Sequence, residues 1–167
     1  MIKIIFGLIL TVVVLVANEP WFAFTDETEK ELIGYKDKNG TVKIEPRFIS
    51  FIIAQRFDNI MAVIEDKNET YEQYYLLKSG KKVGHNTLYI SDNTPDCESE
   101  GYIRFEDKKS ELIGMFNSKG EVAIPAQYNA LRPMHNGLIV ALKGAKKEYD
   151  NHNDAVSYTH LTLPTKA

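Results

Sequence analysis

Several side chains are of types that carry chemistry, and their spacing decides what each can do. Asp37-Lys38-Asn39-Gly40 has the opening of an EF-hand calcium loop, but that motif needs a glutamate six residues after the glycine, where this chain has Pro46. The segment reads as a tight hairpin turn instead. Carboxylates come in adjacent pairs, Asp26-Glu27, Glu65-Asp66 and Glu106-Asp107. Strand neighbours point to opposite faces, whereas acid–base catalysis needs two carboxyls facing one cleft. His85, His135 and His152 keep no zinc-ligand spacing with one another or with a carboxylate. Cys97 is the single cysteine, and the charges of Asp96 and Glu98 beside it oppose thiolate formation. Neither a nucleophile elbow nor a phosphate-binding glycine loop is present. The expectation is a non-enzymatic chain with no catalytic residue, metal ligand or cofactor.

Recognition chemistry is better represented. Tyr71, Tyr74, Tyr75, Tyr89 and Tyr102 gather in the middle of the chain, beside the insertion Asp66 to Gln73. Tyrosine combines a flat apolar face with a polar tip, which suits a partner-binding surface. It also suits a half-buried strand, so these five are binding candidates with a structural alternative.

The elements that must carry these residues follow from an internal repeat. Glu31-Leu32-Ile33-Gly34 recurs as Glu111-Leu112-Ile113-Gly114, and Gly40, Gly80 and Gly120 fall at a period of 40. A fixed period of this size signals stacked supersecondary units. Within one copy, an apolar run (Leu32 to Tyr35) is followed by turn chemistry (Asp37 to Gly40) and an alternating run (Thr41 to Ile44), the pattern of a β-hairpin. Gly40, Gly80 and Gly120 are the expected structural turn residues. Pro46 is expected to end its strand or to sit at an edge. A further strand is expected to close each unit, around Ile60 to Glu65, Tyr102 to Glu106 and Gly137 to Leu142. One short helical turn is expected between Phe51 and Phe57. The predicted fold is all-β: stacked antiparallel hairpin repeats of about 40 residues in a solenoid-like or propeller-like open array.

Both ends are expected to lie outside this domain. Lys3 precedes an apolar run from Ile4 to Ala17, too short for a membrane-spanning helix of roughly 20 residues, so residues 1–23 read as a signal peptide or N-terminal anchor. Cutting after Ala17 or Ala23 would place Leu15 or Trp21 where a small residue is preferred. An uncut anchor would set Trp21 and Phe22 at the membrane interface. At the other end, Val156 to Thr165 resembles the translation of a transposase sequencing-library adapter, so residues 156–167 are assigned to a non-native tail. On that assignment the natural chain is truncated here. The repeat domain is placed at residues 24–155, with copies near 32–66, 72–106 and 112–143.

The net charge of −3 with mixed signs gives no basic stripe for nucleic acid. Short lysine pairs such as Lys81-Lys82 and Lys108-Lys109 have acids nearby and read as solvated loops.

The pattern resembles the WG-repeat family (also called KWG repeats) of bacterial sequences. Its pieces here are Gly34-Tyr35, Lys38, Gly40, Val42, Ile44-Glu45-Pro46 and Phe48 in the first copy. In the third they are Gly114, Phe116-Asn117, Lys119-Gly120, Val122, Ile124-Pro125, Tyr128 and Asn136-Gly137-Leu138. Ile33 and Ile113 replace the signature tryptophan, and the middle copy departs furthest, with Gly84 in place of an isoleucine. The resemblance implies a β-rich, often exported repeat protein. The resulting expectation is an extracytoplasmic (periplasmic, cell-surface or secreted) module that binds a protein or cell-envelope component and meets a membrane only through its N-terminal segment. The alternative is an accessory arm of an enzyme whose catalytic domain lies further along the natural chain.

Overall fold

Three turns spaced by 40 residues set the frame of the molecule. The computed structural model describes residues 19–26, 31–49, 54–67, 70–145, 147–149, 155–158 and 165–166. Each turn closes with the same pair of backbone hydrogen bonds: Asp37 N to Thr41 O and Gly40 N to Asp37 O, then the Leu77–Lys81 and Asn117–Glu121 equivalents. This is a type I turn followed by a left-handed residue. Gly40, Gly80 and Gly120 take that place, with φ of 85°, 86° and 72°. The Asp37 carboxylate accepts hydrogen bonds from the amides of Asn39 and Thr41. The Asn117 side-chain oxygen repeats this with Lys119 and Glu121.

The turns join strands in equivalent units. The first comprises β1 (Trp21–Thr25), β2 (Ile33–Lys36) and β3 (Val42–Phe48), followed by the short β4 (Arg56–Phe57). The second is β5 (Ile60–Asp66), β6 (Tyr71–Leu77) and β7 (Lys82–Val83), followed by the small hairpin β8 (Ile90–Ser91) and β9 (Thr94–Pro95). The third is β10 (Tyr102–Asp107), β11 (Leu112–Asn117) and β12 (Val122–Tyr128). After β13 (Ala130–Leu131), β14 (Leu138–Ile139) and β15 (Ala141–Leu142) open a fourth unit. Among the described residues the regular structure is all strand, in an open array of antiparallel repeats.

The strand expected to close each unit in fact opens the next one. Along its whole length β5 pairs with β6, from Ile60↔Leu77 to Asp66↔Tyr71, but it meets β3 only at Phe48↔Glu65. Likewise β10 pairs with β11 from Tyr102↔Asn117 to Asp107↔Leu112. A short connection favours an antiparallel neighbour, and only a few residues separate β5 from β6.

Pro46 does not end its strand, but it does sit at a free edge, because β3 meets β5 only at Phe48↔Glu65 and pairs beside Pro46 with β2 alone. It lies inside β3, where the register slips from Ile33↔Phe48 to Tyr35↔Ile44, and the missing proline amide falls in this bulge. Pro125 occupies the same place in β12, between Ile113↔Tyr128 and Met115↔Ile124. The bulge folds the outer strand over a glycine. A Cβ on Gly34 would stand 2.6 Å from Ile44 O, and one on Gly114 would stand 2.5 Å from Ile124 O. The middle unit has Tyr74 at the corresponding position, and β7 pairs with β6 without a slip. Loss of the glycine and loss of the bulge therefore go together.

The core lies between successive units. Trp21, Ala23, Ile33 and Tyr35 of the first pack against Met61, Val63, Tyr74 and Leu76 of the second. Ile60, Ala62, Tyr75 and Leu77 of the second pack against Ile103, Phe105 and Phe116 of the third. Ile113 and Met115 of the third meet Ile139 and Ala141 of the fourth. Alternate residues of each opening strand thus face the preceding and the following unit, as the strand period requires.

The sheet begins at Trp21, three residues before the expected boundary at residue 24. The Trp21 ring meets Phe57 edge-on at 5.4 Å and its backbone pairs there too, so this core holds it. The apolar run Ile4 to Ala17 lies outside the described residues. Of the helical turn expected over Phe51 to Phe57, the described part ends as strand β4. At the other end, β16 (Lys147–Tyr149) pairs with β17 (Ala155–Tyr158), and β18 (Thr165–Lys166) pairs with β14. Backbone pairing therefore reaches into the tail excluded from the domain.

Candidate functional site

The five tyrosines do not form one surface. Tyr74 and Tyr75 are consecutive on β6, so they enter different cores and both are fully buried. The Tyr75 hydroxyl donates to Arg104 O at 2.6 Å and accepts from the Tyr89 amide at 3.0 Å, tying the second unit to the third. Burial pushes its pKa above the usual tyrosine value. Tyr89 and Tyr102 are half-buried against the third core. Tyr71 alone stands out, with 67% of its surface exposed. A strand that is covered on both faces buries every side chain in its middle, which is why Tyr74 and Tyr75 belong to the core.

The densest polar cluster surrounds Glu65, which is buried. Its carboxylate accepts from the Tyr74 hydroxyl at 2.7 Å, Lys67 Nζ at 2.9 Å and Lys82 Nζ at 3.3 Å, with Arg47 Nε at 3.7 Å. Burial pushes this carboxyl up, but the hydrogen bonds from Lys67, Tyr74 and Lys82 outweigh it and bring the pKa down to about 2. Burial and the bond to Glu65 push Tyr74 up to about 12. Lys82 also lies 4.0 Å above the Tyr74 ring and bonds Glu72, which meets His85 Nδ1 at 3.3 Å. A carboxylate this strongly held as an anion is a poor proton donor or acceptor near neutral pH. The cluster gives the Tyr74 hydroxyl its buried partner.

Other charged groups brace the joints between units. Arg104 and Asp96 form a mostly buried bidentate pair at 2.9 and 2.6 Å. The guanidinium also donates to Leu131 O at 2.8 Å and lies over the Tyr89 ring. Glu98 accepts from the amides of Asn59 and Ile60 at 2.8 and 2.9 Å, and Glu100 accepts from those of Asn136 and Gly137 at 2.6 and 2.9 Å. One loop therefore grips the turn before the second unit and the turn before the fourth. The bracing role of both glutamates has no local signal in the sequence, because their partners lie nearly one repeat away.

The remaining candidates are placed simply. Glu106 pairs with Lys108, while Asp107 caps Lys109 N and Ser110 Oγ, so these neighbours serve local contacts. Cys97 is an exposed free thiol whose pKa is pushed up by partial desolvation and then by the charge of Asp96. His135 bridges to Leu138 through its backbone, while His152 lies outside the described residues.

Shallow clefts lie on both sides of the second turn. One of about 350 Å³ is lined by Trp21, Lys43, Ile44, Glu45 and Arg47 on one side and Leu76 to Gly80 on the other. The next, about 340 Å³, lies between Asn59, Leu77 to Ser79 and Lys81 on one side and Ser118-Lys119 on the other. The turn carrying Lys78 and Ser79 is the wall they share. Burial lowers the pKa of Lys78, whose ammonium lies 5.1 Å above the Trp21 ring.

The model of one protein family, described as the WG containing repeat, matches residues 113–146. No curated protein and no solved structure matches the chain. The matched segment holds the third hairpin with its glycine, bulge and turn, then the strand that opens the fourth unit. The same glycine, bulge and turn recur in the first unit. The chain thus carries a WG containing repeat at residues 113–146, with the same elements repeated in its first unit.

Proposed function

We propose that this chain is an exported, non-enzymatic repeat module that binds a protein or cell-envelope component along its turn edge. One observation carries the reading: the turn carrying Lys78 and Ser79 divides two adjoining clefts, one walled by β3 and the other by the third turn, and apart from Glu45 their charged lining residues are the cations Lys43, Arg47, Lys78, Lys81 and Lys119. The cationic rim suits a partner with acidic groups, in contrast to the mildly acidic chain as a whole. The reading is supported by the way Glu65, Asp96, Glu98 and Glu100 are committed to bonds that hold the units together. Export is inferred from the N-terminal apolar run.

The experiment is retention of cell-envelope fractions on the immobilised chain, compared with the double substitution Lys78→Glu and Lys119→Glu. A component held by the unaltered chain and lost from the variant supports the reading. Equal retention by both, or none by either, counts against it.

A further inference from the structure

The turn that opens the fourth unit is built on Asn136-Gly137, one of two Asn-Gly pairs in the chain; the other is Asn39-Gly40 in the first turn. Asn136 and Gly137 both take left-handed backbone angles, with φ of 52° and 68°. His135 and Leu138 exchange both backbone hydrogen bonds across them at 3.0 Å. This is the two-residue hairpin turn for which Asn-Gly is the preferred pair.

Asn-Gly is also the pair most prone to cyclise, because a glycine has no side chain to shield its nitrogen. Here that nitrogen is restrained. Gly137 N and Asn136 N donate to the two carboxylate oxygens of Glu100 at 2.9 and 2.6 Å, and these bonds hold the Glu100 carboxyl below the ordinary glutamate range. Attack requires the nitrogen to lose its proton and turn onto the side-chain carbonyl of Asn136. It cannot do so while Glu100 holds that proton. The leaving nitrogen is placed differently: Asn136 Nδ2 lies 3.1 Å from His135 Nε2, beside a ring that can carry a proton to it.

We propose that Asn136-Gly137 is a self-modifying site, gated by Glu100, that releases the joint between the third and fourth units irreversibly. When Glu100 lets go, Gly137 N bonds to Asn136 Cγ and the Cγ–Nδ2 bond breaks. Nδ2 departs as ammonia, taking up the one proton that Gly137 N gives up. One water then opens the resulting succinimide at either carbonyl, leaving aspartate or isoaspartate at position 136. Either product sets a new carboxylate beside that of Glu100, and like charges repel. Isoaspartate also lengthens the backbone inside a two-residue turn, so the bonds between His135 and Leu138 lose their register.

The test is peptide mapping by mass spectrometry of the chain stored in mildly alkaline buffer, with fragmentation that separates isoaspartate from aspartate. Both products are expected at position 136. Loss of the charged acceptor in Glu100→Gln should raise the rate there about tenfold, because the freed turn is populated more often. Asn39 should convert at an unchanged rate in that variant, since Gly40 N is held within its own turn by Asp37 O. Glu98→Gln, which loosens the grip on Asn59 and Ile60, should leave the rate at Asn136 unchanged. After conversion, amide exchange should quicken at His135 and Leu138. An Asn136 that persists unconverted in both the unaltered chain and Glu100→Gln overturns the proposal. So does a Glu100→Gln variant that speeds Asn39 as much as Asn136, or a Glu98→Gln variant that speeds Asn136 equally, because either shows general loosening in place of a specific gate. A converted chain in which His135 and Leu138 exchange as slowly as before has the same consequence.

Discussion

The ring of Phe105 lies against Gly114 so closely that a Cβ there would stand 2.6 Å from its Cζ. Phe24 and Gly34 repeat the relationship at 2.9 Å in the first unit. The glycine lets an aromatic ring and a bulged outer strand meet over one backbone position. Gly114→Ala is expected to destabilise the protein by about 2 kcal/mol, because two of the three nearest atoms are backbone and cannot turn aside. Denaturant midpoints measure this directly, and an unchanged midpoint would contradict the packing.

The turn glycines rank differently. A Cβ on Gly40 meets nothing within 4 Å, so Gly40→Val is expected to cost only the left-handed conformation, about 1–2 kcal/mol. A Cβ on Gly120 would stand 2.9 Å from Leu77 Cδ1, so Gly120→Val is expected to cost more. Thermal midpoints of the two variants should fall in that order.

Glu65 gives the protein an acid sensitivity of definite sign. Its pKa in the folded state is depressed to about 2, so its contribution is complete above the ordinary glutamate range and is lost as pH falls through about 2. Lys67 and Lys82 are partly exposed and solvent weakens their hold, which reduces the contribution to about 2 kcal/mol. Between pH 4.5 and 2 the unaltered protein should lose stability more steeply than Glu65→Gln, as measured by urea unfolding. Parallel slopes would contradict the network.

Asp96→Ala leaves the Arg104 guanidinium mostly buried without its carboxylate. Breaking one side of such a pair costs about 3–5 kcal/mol. Replacing both members with apolar residues should recover much of that loss, and a double-mutant cycle measures the difference.

Glu98→Gln and Glu100→Gln should each loosen a different joint. Amide exchange is expected to quicken at Asn59 and Ile60 in the first variant and at Asn136 and Gly137 in the second. Exchange that quickens at the same amides in both variants would contradict two separate grips.

Legibility in the sequence depended on distance along the chain. The turns were readable because Asp37 and Asn117 bond to amides two and four residues ahead, and Gly40 and Gly120 supply the left-handed residue locally. The role of Gly34 was not, since it depends on a register slip around Pro46 on the neighbouring strand. Nor could composition separate exposed Tyr71 from buried Tyr74, because tyrosine suits both settings. Tyr74 occupies the glycine position of the eroded copy, and its buried hydroxyl accounts for Glu65 in that core. The clefts beside Lys78 arise from residues of two units and had no signal within either one.

Photo-crosslinking in cells tests the binding edge most directly. The hairpin ends alternate, with Ser79 on the cleft wall and Ser110 in the turn at the opposite end of its hairpin. A photoreactive residue at Ser79 should yield a discrete adduct with an envelope component, and the same residue at Ser110 should yield none. No adduct from Ser79, or equal adducts from both sites, would contradict the account.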